Sequence, residues 1–179
     1  MSTTVTAPTA WVGCLACYNS GNLVGAWYPA SEAGDVTPSQ LHGRPIRPET
    51  HEELWCFDHE GIPVDGELSP MEATRWGECY DQLDDPSLWP ALCAWVRSGD
   101  HVEDGDGLPS IPDFTERYAG TWDSFLDYAE HLAEDCETFS SVPEDLRRFI
   151  DMAAWAAEIE ADYTTENAPG GAVYIFRSY

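Results

Sequence analysis

Five carboxylates in the second half of the chain are spaced four, three, four and three residues apart: Asp123, Asp127, Glu130, Glu134 and Glu137. At about 100° per residue, this spacing places them in one narrow line along a helix. Consecutive charges then rise about 5 Å along the axis, because an α-helix rises about 1.5 Å per residue. Duplex DNA carries a phosphate about every 3.4 Å along each strand. The line of carboxylates could imitate a DNA strand, although an ordinary solvated helix face has the same pattern.

A helix over residues 121–139 is predicted to position these carboxylates. Thr121 is placed to be its N-cap, and Asp123 falls in the first turn, where a negative charge suits the helix dipole. The opposite side of the helix offers a face to bury. That face contains Trp122, Phe125, Tyr128, Ala129, Leu132, Cys136 and Phe139.

A second group of carboxylates has the same arrangement. The capping box Ser69-Pro70-Met71-Glu72 predicts the start of a helix. Its buried face is predicted to hold Trp76, Cys79, Tyr80 and Leu83. Glu78, Asp81 and Asp85 share the opposite face and form a second acidic ridge.

Other residues with chemical potential do not form a convincing site. Cys14-Leu-Ala-Cys17 has the spacing of a zinc or redox motif, but Cys56, the next cysteine, stands alone, and positions three apart in a strand point to opposite faces. Three histidine groups lack helical HExxH spacing, and Asp104-Gly-Asp-Gly107 lacks the closing Glu of a calcium loop. These groups are His51-Glu52, Asp58-His59-Glu60, and His101 with Asp104 and Asp106. We therefore expect structural cysteines, solvated histidines, no metal, no cofactor and no active site.

The charge of the chain is strongly negative and unevenly distributed. Its 33 acids and 8 bases give −25, and residues 1–48 are neutral, with Glu32 and Asp35 balanced by Arg44 and Arg47. Such a surface repels nucleic acid and acidic membranes and attracts basic partners. Adaptation to high salt is the alternative, but it should spread acidity along the whole chain. No long apolar stretch or signal peptide is evident, and the six cysteines are sparse, so we expect a soluble cytoplasmic protein.

The remaining patterns predict an α+β fold. A β-hairpin is expected from residues 11–18 and 23–28, a short helix near residues 38–42, and a third strand at residues 53–58. A helix that is broken or bent at Pro90 is predicted at residues 86–97, and a short helical turn at residues 111–118. The capping box Ser141-Val142-Pro143-Glu144 predicts the start of a helix or helix pair through Ile159. This helix or helix pair is expected to bury residues that include Leu146 and Phe149. Two closing strands are predicted at residues 163–166 and 172–177. We divide the chain into a disordered leader (1–10), a β-rich subdomain (11–60), a central helical subdomain (61–108) and a C-terminal α+β subdomain (109–179).

The segment from Phe114 to Asp135 closely resembles the signature region of the ArdA antirestriction proteins. It contains the Arg-Tyr, a small residue with Gly, the Asp-Ser step and the Asp-Tyr-Ala step of an acidic helix. The start of the chain is similar to the same family through Cys14-Leu-Ala-Cys-Tyr18-Asn19, Gly21, Leu23, Gly25 and Trp27. Phe149-Ile150-Asp151 and Tyr174-Ile-Phe-Arg177 resemble the end of that family.

This resemblance implies an elongated homodimer of small subdomains whose carboxylates imitate DNA phosphates. Such proteins occupy the DNA-binding groove of type I restriction-modification enzymes and shield incoming plasmid, transposon or phage DNA, without catalysis and without binding nucleic acid or membranes. The two acidic ridges are then the partner surface. The other signature residues have structural or dimer roles, and Arg117 is expected to pair with Glu116 or Asp123. These residues are Glu116, Arg117, Tyr118, Gly120, Trp122 and Tyr128. The alternatives are a general acidic module that sequesters another basic DNA-binding protein, and an enzyme or metal protein that uses His51, His59 and His101.

Overall fold

The chain forms two compact units in the computed structural model, which describes residues 6–51 and 53–178. The first unit contains the chain up to Cys93 together with Glu103–Ile111. The second contains Ala94–Val102 and the chain from Pro112 onward. The predicted leader is shorter than expected, because the first strand already begins at Thr9 and Pro8 is buried; residues 1–5 of that leader lie outside the described part.

The first unit contains an antiparallel sheet built on its central strand. β1 (Thr9–Cys14) is followed by α1 (Leu15–Asn19) and β2 (Gly25–Pro29), and β1 pairs with β2 through Trp11↔Trp27 and Val12↔Ala26. The predicted pairing is confirmed. The predicted first strand was wrong beyond Cys14, because the chain turns there into a helix whose end is closed by backbone bonds from Ser20 and Gly21.

Two short helices and a third strand complete this part of the chain. After a 3-10 helix at Ala30–Asp35, α2 (Pro38–His42) begins with a capping box between Thr37 and Gln40 and ends at Gly43 in the left-handed conformation. α3 (Pro48–His51) precedes β3 (Leu54–Glu60), which pairs with β1 and gives the strand order β2-β1-β3. The predicted short helix and third strand are confirmed.

A longer helix of the first unit follows the sheet. α4 (Pro70–Asp81) has the predicted capping box, in which Glu72 N donates to Ser69 Oγ and Ser69 N donates to the Glu72 carboxylate. Its neighbour is the 3-10 helix at Ala30–Asp35. The approach is so close that a Cβ on Gly77 would lie 2.1 Å from the Ser31 nitrogen. A small residue at position 77 therefore lets the two backbones meet.

The chain then passes from the first unit to the second. A 3-10 helix at Pro86–Leu88 leads into α5 (Trp89–Ser98), in which Pro90 lies in the first turn, where its missing N–H costs nothing. The acidic, Gly-rich connection reaches α6 (Ile111–Arg117). Trp95, Phe114 and Phe176 pack together in the core of the second unit, with ring centroids about 6 Å apart.

The helix predicted over residues 121–139 is shorter at both ends. Residues Tyr118–Trp122 form a strand, β4, that pairs with the last strand through Thr121↔Tyr174 and Trp122↔Val173. α7 spans Phe125–Asp135, and its N-cap is Ser124, whose Oγ accepts a hydrogen bond from Asp127 N at 3.1 Å. Assigning Thr121 as the cap was wrong, because its backbone is used by the sheet.

The C-terminal end of α7 also differs from the prediction. Cys136 caps the helix and is exposed, whereas burial was expected. Glu137 follows with a φ of 49°, in the left-handed region. Asp123 and Glu137 therefore both lie outside the helix.

The segment that ends at Ile159 forms a pair of short helices, one of the two predicted alternatives, and the closing strands are as expected. α8 (Glu144–Arg147) has Pro143 at its N-cap without a side-chain hydrogen bond, so the capping box predicted at Ser141 was wrong. Leu146 and Phe149 are exposed, against expectation. α9 (Met152–Ile159) is capped instead by Asp151, which accepts from Ala154 N. β5 (Tyr163–Asn167) and β6 (Val173–Arg177) complete a second antiparallel sheet in the order β4-β6-β5.

The architecture confirms the predicted α+β class, with a small antiparallel sheet near each end of the chain and helices between and beside them. One core cluster supports α7. Phe125, Tyr128 and Ala129 of α7 pack there with Ala156 of α9 and Ile175 of β6. This cluster fixes the orientation of α7 and hence of its acidic side.

Candidate functional site

The acidic side of α7 is the strongest candidate site in the second unit. Asp127, Glu130 and Glu134 are exposed, and the spacing of three and four residues puts them on one face. From the first to the last, the axis rises about 10 Å. Phe125, Tyr128, Ala129 and Ala133 are buried on the other side. Asp123 and Glu137 are also exposed and extend the acidic segment beyond both ends of the helix, without the helical geometry that was predicted for them.

The carboxylates of this line have no cationic partner in the part of the chain that the structure describes. Among the described residues, no ion pair involves Asp127, Glu130, Glu134 or Glu137. Asp127 accepts a hydrogen bond from Ser124 Oγ at 2.5 Å, which orients its carboxylate at the start of the helix. His131 Nε2 lies 3.2 Å from Asp135 Oδ2, beside the acidic line. The line itself is available to cations from outside.

An open groove of about 590 Å³ runs beside this acidic line. Glu130, Glu134 and Glu137 contribute carboxylates to it, and its apolar lining comes from Ala133, Phe139, Ile150 and Met152. Arg147 also lines the groove, but its guanidinium donates to the carbonyls of Val142 and Ser140 at 3.0 and 3.2 Å. An apolar lining with carboxylates suits the aliphatic stem and cationic head of an Arg or Lys side chain.

The second predicted ridge lies in the first unit and is only partly helical. Glu78 and Asp81 are exposed on α4, opposite the buried Ala73, Trp76 and Cys79. Asp85 lies beyond the end of α4, so it was wrong to place it on the same helix face. It caps the 3-10 helix at Pro86–Leu88, where hydrogen bonds from Ser87 lower the pKa of the Asp85 carboxyl. Asp85 is thus a charged, exposed carboxylate with a structural task.

Comparison of the whole sequence with known protein families gives the family of this chain. The family model described as Antirestriction protein (ArdA) matches residues 10–174 of the 179, a range that includes both acidic segments. The chain belongs to the ArdA family. A comparison with curated proteins returned no match. The resemblance seen in the signature region is confirmed, and the protein is an antirestriction protein.

The aromatic residues of the ArdA-like signature pack within the second unit, and Trp122 contacts α7 directly. Tyr118 stacks on Phe114 with 5.4 Å between ring centroids, and its hydroxyl lies 2.7 Å from Thr121 Oγ1. Trp122 donates from Nε1 to the Ala119 carbonyl at 3.0 Å and packs against Tyr128. Burial raises the pKa of both Tyr118 and Tyr128, which keeps the two phenols neutral.

The remaining signature residues are close to the second sheet. Gly120 has a φ of 112°, a conformation that L side chains rarely adopt. The carbonyl of Glu116 accepts a hydrogen bond from Arg177 Nη1 at 3.0 Å. Arg117 lines a small cavity with Asp100, Thr164 and Arg177. Tyr128 donates its hydroxyl proton to Tyr163 Oη at 3.2 Å and is buried, so in this conformation it has a core position.

One group of side chains was missed by the sequence analysis. Cys14, Cys17, His42 and His51 converge, and each offers one ligand atom, all of them within 4.8 Å of one another. Burial, followed by a hydrogen bond with Cys14, raises the pKa of the Cys17 thiol. Burial also lowers the pKa of His42, with His51 and Arg44 adding to the effect. The CxxC spacing is the sequence signal for this group, but a strand through Cys17 and a second ligand pair restricted to cysteines do not predict it.

The other histidines considered as metal ligands have different neighbours. Glu52, proposed beside His51, lies outside the described residues. His59 Nε2 lies 3.1 Å from the Gly66 carbonyl oxygen, and the His101 ring packs edge-on against Trp95. Across the described chain, no helix combines the length and the apolar character needed to cross a membrane.

Proposed function

We propose that this ArdA-family protein inhibits type I restriction-modification enzymes by presenting carboxylates where those enzymes expect DNA phosphates. The observation that carries the proposal is the line of exposed carboxylates on α7 that no cation of the described chain neutralises. Their steps of about 5 Å are of the same order as the phosphate spacing along one DNA strand. Asp123 and Glu137 extend the same acidic segment, and Glu78, Asp81 and Asp85 form a further acidic segment in the first unit.

The mechanism is competition for the DNA-binding groove. Arg and Lys side chains that contact phosphates form charge-assisted hydrogen bonds with carboxylates equally well. A folded carboxylate array also avoids the energy that an enzyme spends when it deforms DNA. The formal charge of −25 equals the phosphate charge of about 12 base pairs, at two phosphates per pair. Incoming plasmid, transposon or phage DNA would then escape cleavage in the cytoplasm.

The homodimer implied by the family resemblance belongs to the same proposal. A second copy would double the charge to that of about 25 base pairs, which is long enough to fill an enzyme groove. Light scattering of the purified protein measures its molar mass and therefore its oligomeric state. If the protein is a monomer and still inhibits, the carboxylate mechanism stands, but the homodimer is not part of it.

The decisive experiment neutralises the helical carboxylates without changing their size. In the variant Asp127→Asn, Glu130→Gln, Glu134→Gln, we expect inhibition of a purified type I enzyme to weaken roughly 10- to 100-fold. This follows because each exposed ion pair contributes about 0.5–1 kcal/mol and about 1.4 kcal/mol corresponds to tenfold in affinity. Plating of unmodified phage on a type I restricting host should give the same ranking: the wild-type protein should protect the phage from restriction, and the variant should not.

The matched control removes the same number of charges elsewhere. Glu32→Gln, Asp35→Asn, Glu53→Gln changes three exposed carboxylates in or near the neutral N-terminal part of the chain. Its inhibition should stay within about twofold of wild type, because total charge acts only through screened, long-range attraction. Equal losses in both variants would show that net charge alone matters. Full inhibition by the helical variant would refute the α7 assignment.

The same assay tests the alternative function. A general acidic module would capture another basic DNA-binding protein and leave restriction of phage unchanged. If phage is still restricted in the presence of this protein, and the protein binds such a basic protein tightly, the alternative function would be favoured over inhibition of type I enzymes.

A further inference from the structure

Four side chains of the types that can bind a metal lie close together in the first unit. They come from separate elements. Cys14 ends β1, Cys17 lies in α1, His42 ends α2 and His51 ends α3. Cys14 Sγ lies 3.2 Å and Cys17 Sγ 3.6 Å from His51 Nδ1, and Cys17 Sγ lies 3.9 Å from His42 Nε2. Both thiols are free rather than joined in a disulfide.

These distances match the edges of a zinc coordination tetrahedron. With Zn–S of about 2.3 Å and Zn–N of about 2.0–2.1 Å, ligand atoms in a tetrahedral site are about 3.3–3.8 Å apart. The measured separations of 3.2, 3.6 and 3.9 Å fall on or near this range, and no pair exceeds 4.8 Å. A shift of about 1 Å in the most distant pair would complete the site.

The chemistry of the donors selects the metal. Two thiolates and two imidazoles are the Cys₂His₂ set of structural zinc sites, whereas calcium and magnesium take oxygen ligands. Two thiolates also neutralise the charge of Zn²⁺, so both buried cysteines can bind without leaving a net charge in the protein. With four protein ligands, the coordination sphere is closed, which is typical of a structural ion and excludes a metal-bound reactive water.

The two helices that supply the histidines are short. α2 has five residues and no buried side chain, and α3 has four residues. Helices this short are not stable by themselves, because few hydrogen bonds offset the cost of nucleation. α2 lies against β1 and β2, and α3 lies against α1. An ion bound by all four residues would fasten both short helices to the N-terminal sheet.

We propose that Cys14, Cys17, His42 and His51 bind one Zn²⁺ ion that holds α2 and α3 in place. The proposal concerns the first unit and does not depend on the acidic helix or on type I inhibition. Protein for the test carries no histidine tag and is purified with a non-chelating reductant. Native mass spectrometry and elemental analysis should find one zinc per chain.

Ligand and control variants then locate the ion. Cys17→Ser and His42→Asn should each lose zinc, whereas Cys136→Ser and His131→Asn should retain it, since those exposed residues lie on or beside α7. Retention of zinc by both ligand variants would overturn the assignment. So would loss of zinc in the controls to the same extent.

A second measurement does not require the ligand variants to fold. Stoichiometric Co²⁺ added to metal-free wild-type protein should produce the d–d bands of a tetrahedral ion and a thiolate-to-cobalt charge-transfer band, and Zn²⁺ should abolish both. Wild-type protein that contains no zinc and gives no such spectrum would refute the site. A Cys14–Cys17 disulfide that persists in the presence of reductant would also refute it, because both sulfurs would then be unavailable.

Discussion

At the scale of single residues, one glycine determines how the signature segment reaches the acidic helix. Gly120 adopts a φ of 112°, and a Cβ at this position would lie 3.0 Å from Trp122 Nε1. That nitrogen is engaged, since it donates to the Ala119 carbonyl. The ladder between β4 and β6 shifts register between Tyr118 and Gly120, so the glycine marks a bulge. The absence of a side chain therefore allows this backbone conformation at the bulge, shortly before α7 begins at Phe125.

Replacing this glycine should destabilise the second unit. We expect Gly120→Ala to lower the free energy of unfolding by about 1–3 kcal/mol, the usual cost of holding a side chain in an unfavourable backbone conformation. Gly105→Ala is the control, because no atom lies within 4 Å of a Cβ there and its φ is not positive. Denaturant titration followed by tryptophan fluorescence measures both. A Gly120→Ala protein as stable as Gly105→Ala would mean that the bulge relaxes freely.

At the scale of elements, two serines of the second unit show how much an N-cap depends on its surroundings. Ser124 and Ser141 both precede acidic segments with good capping chemistry. Ser124 caps α7, and its Oγ accepts from Asp127 N. Ser141 does not cap α8, which begins after Pro143 without a side-chain cap bond. The difference arises because α7 is held by a core cluster, whereas Leu146, the apolar residue of α8, is exposed.

The two serines should therefore respond differently to alanine. We expect Ser124→Ala to cost about 1 kcal/mol of stability, which is typical for the loss of an N-cap. Ser141→Ala should stay within about 0.5 kcal/mol of wild type, as for most surface substitutions. Thermal unfolding of the two variants under identical conditions provides the comparison. A larger cost at Ser141 than at Ser124 would contradict the observed helix starts.

At the scale of the whole molecule, the charge of −25 acts on stability and on inhibition in opposite directions. Self-repulsion destabilises a compact acidic chain, and most of its carboxylates have no cation among the 8 arginines. The negative potential that causes this self-repulsion also attracts the basic DNA-binding groove of an enzyme. Both effects are screened by salt, since the Debye length falls from about 30 Å at 0.01 M to about 8 Å at 0.15 M.

Raising sodium chloride over this range should therefore stabilise the protein while weakening its inhibition. We expect the melting midpoint to rise by several degrees, given that about 1 kcal/mol moves it by about 2–4 °C in a chain of this length. The inhibition constant for a type I enzyme should increase over the same range. Differential scanning calorimetry tests the change in melting midpoint, and inhibition assays in matched buffers test the change in inhibition constant. A midpoint that falls with salt would show that favourable ion pairs outweigh repulsion.

Local patterns were sufficient for much of the fold. The capping box at Ser69, the short helix near residues 38–42, the third strand and the two closing strands follow from short-range chemistry, and they formed as predicted. The acidic face of α7 was likewise evident from residue spacing, because periodicity determines which side chains share a face of a helix. The ArdA resemblance also required nothing beyond residue types in order.

Tertiary structure decided where that helix begins and which distant residues meet. Thr121 and Trp122 are compatible with a helix, but pairing with β6 satisfies their backbone groups in a sheet, and the helix starts at Ser124 instead. Cys14 and Cys17 are brought to His42 and His51 by the turn after β1 and by two short helices. The sequence by itself determined the charge, the periodic faces and the family, all of which depend on neighbouring positions or residue order. The strand before α7 and the cluster of cysteines and histidines depend on contacts between distant segments, which local spacing does not specify.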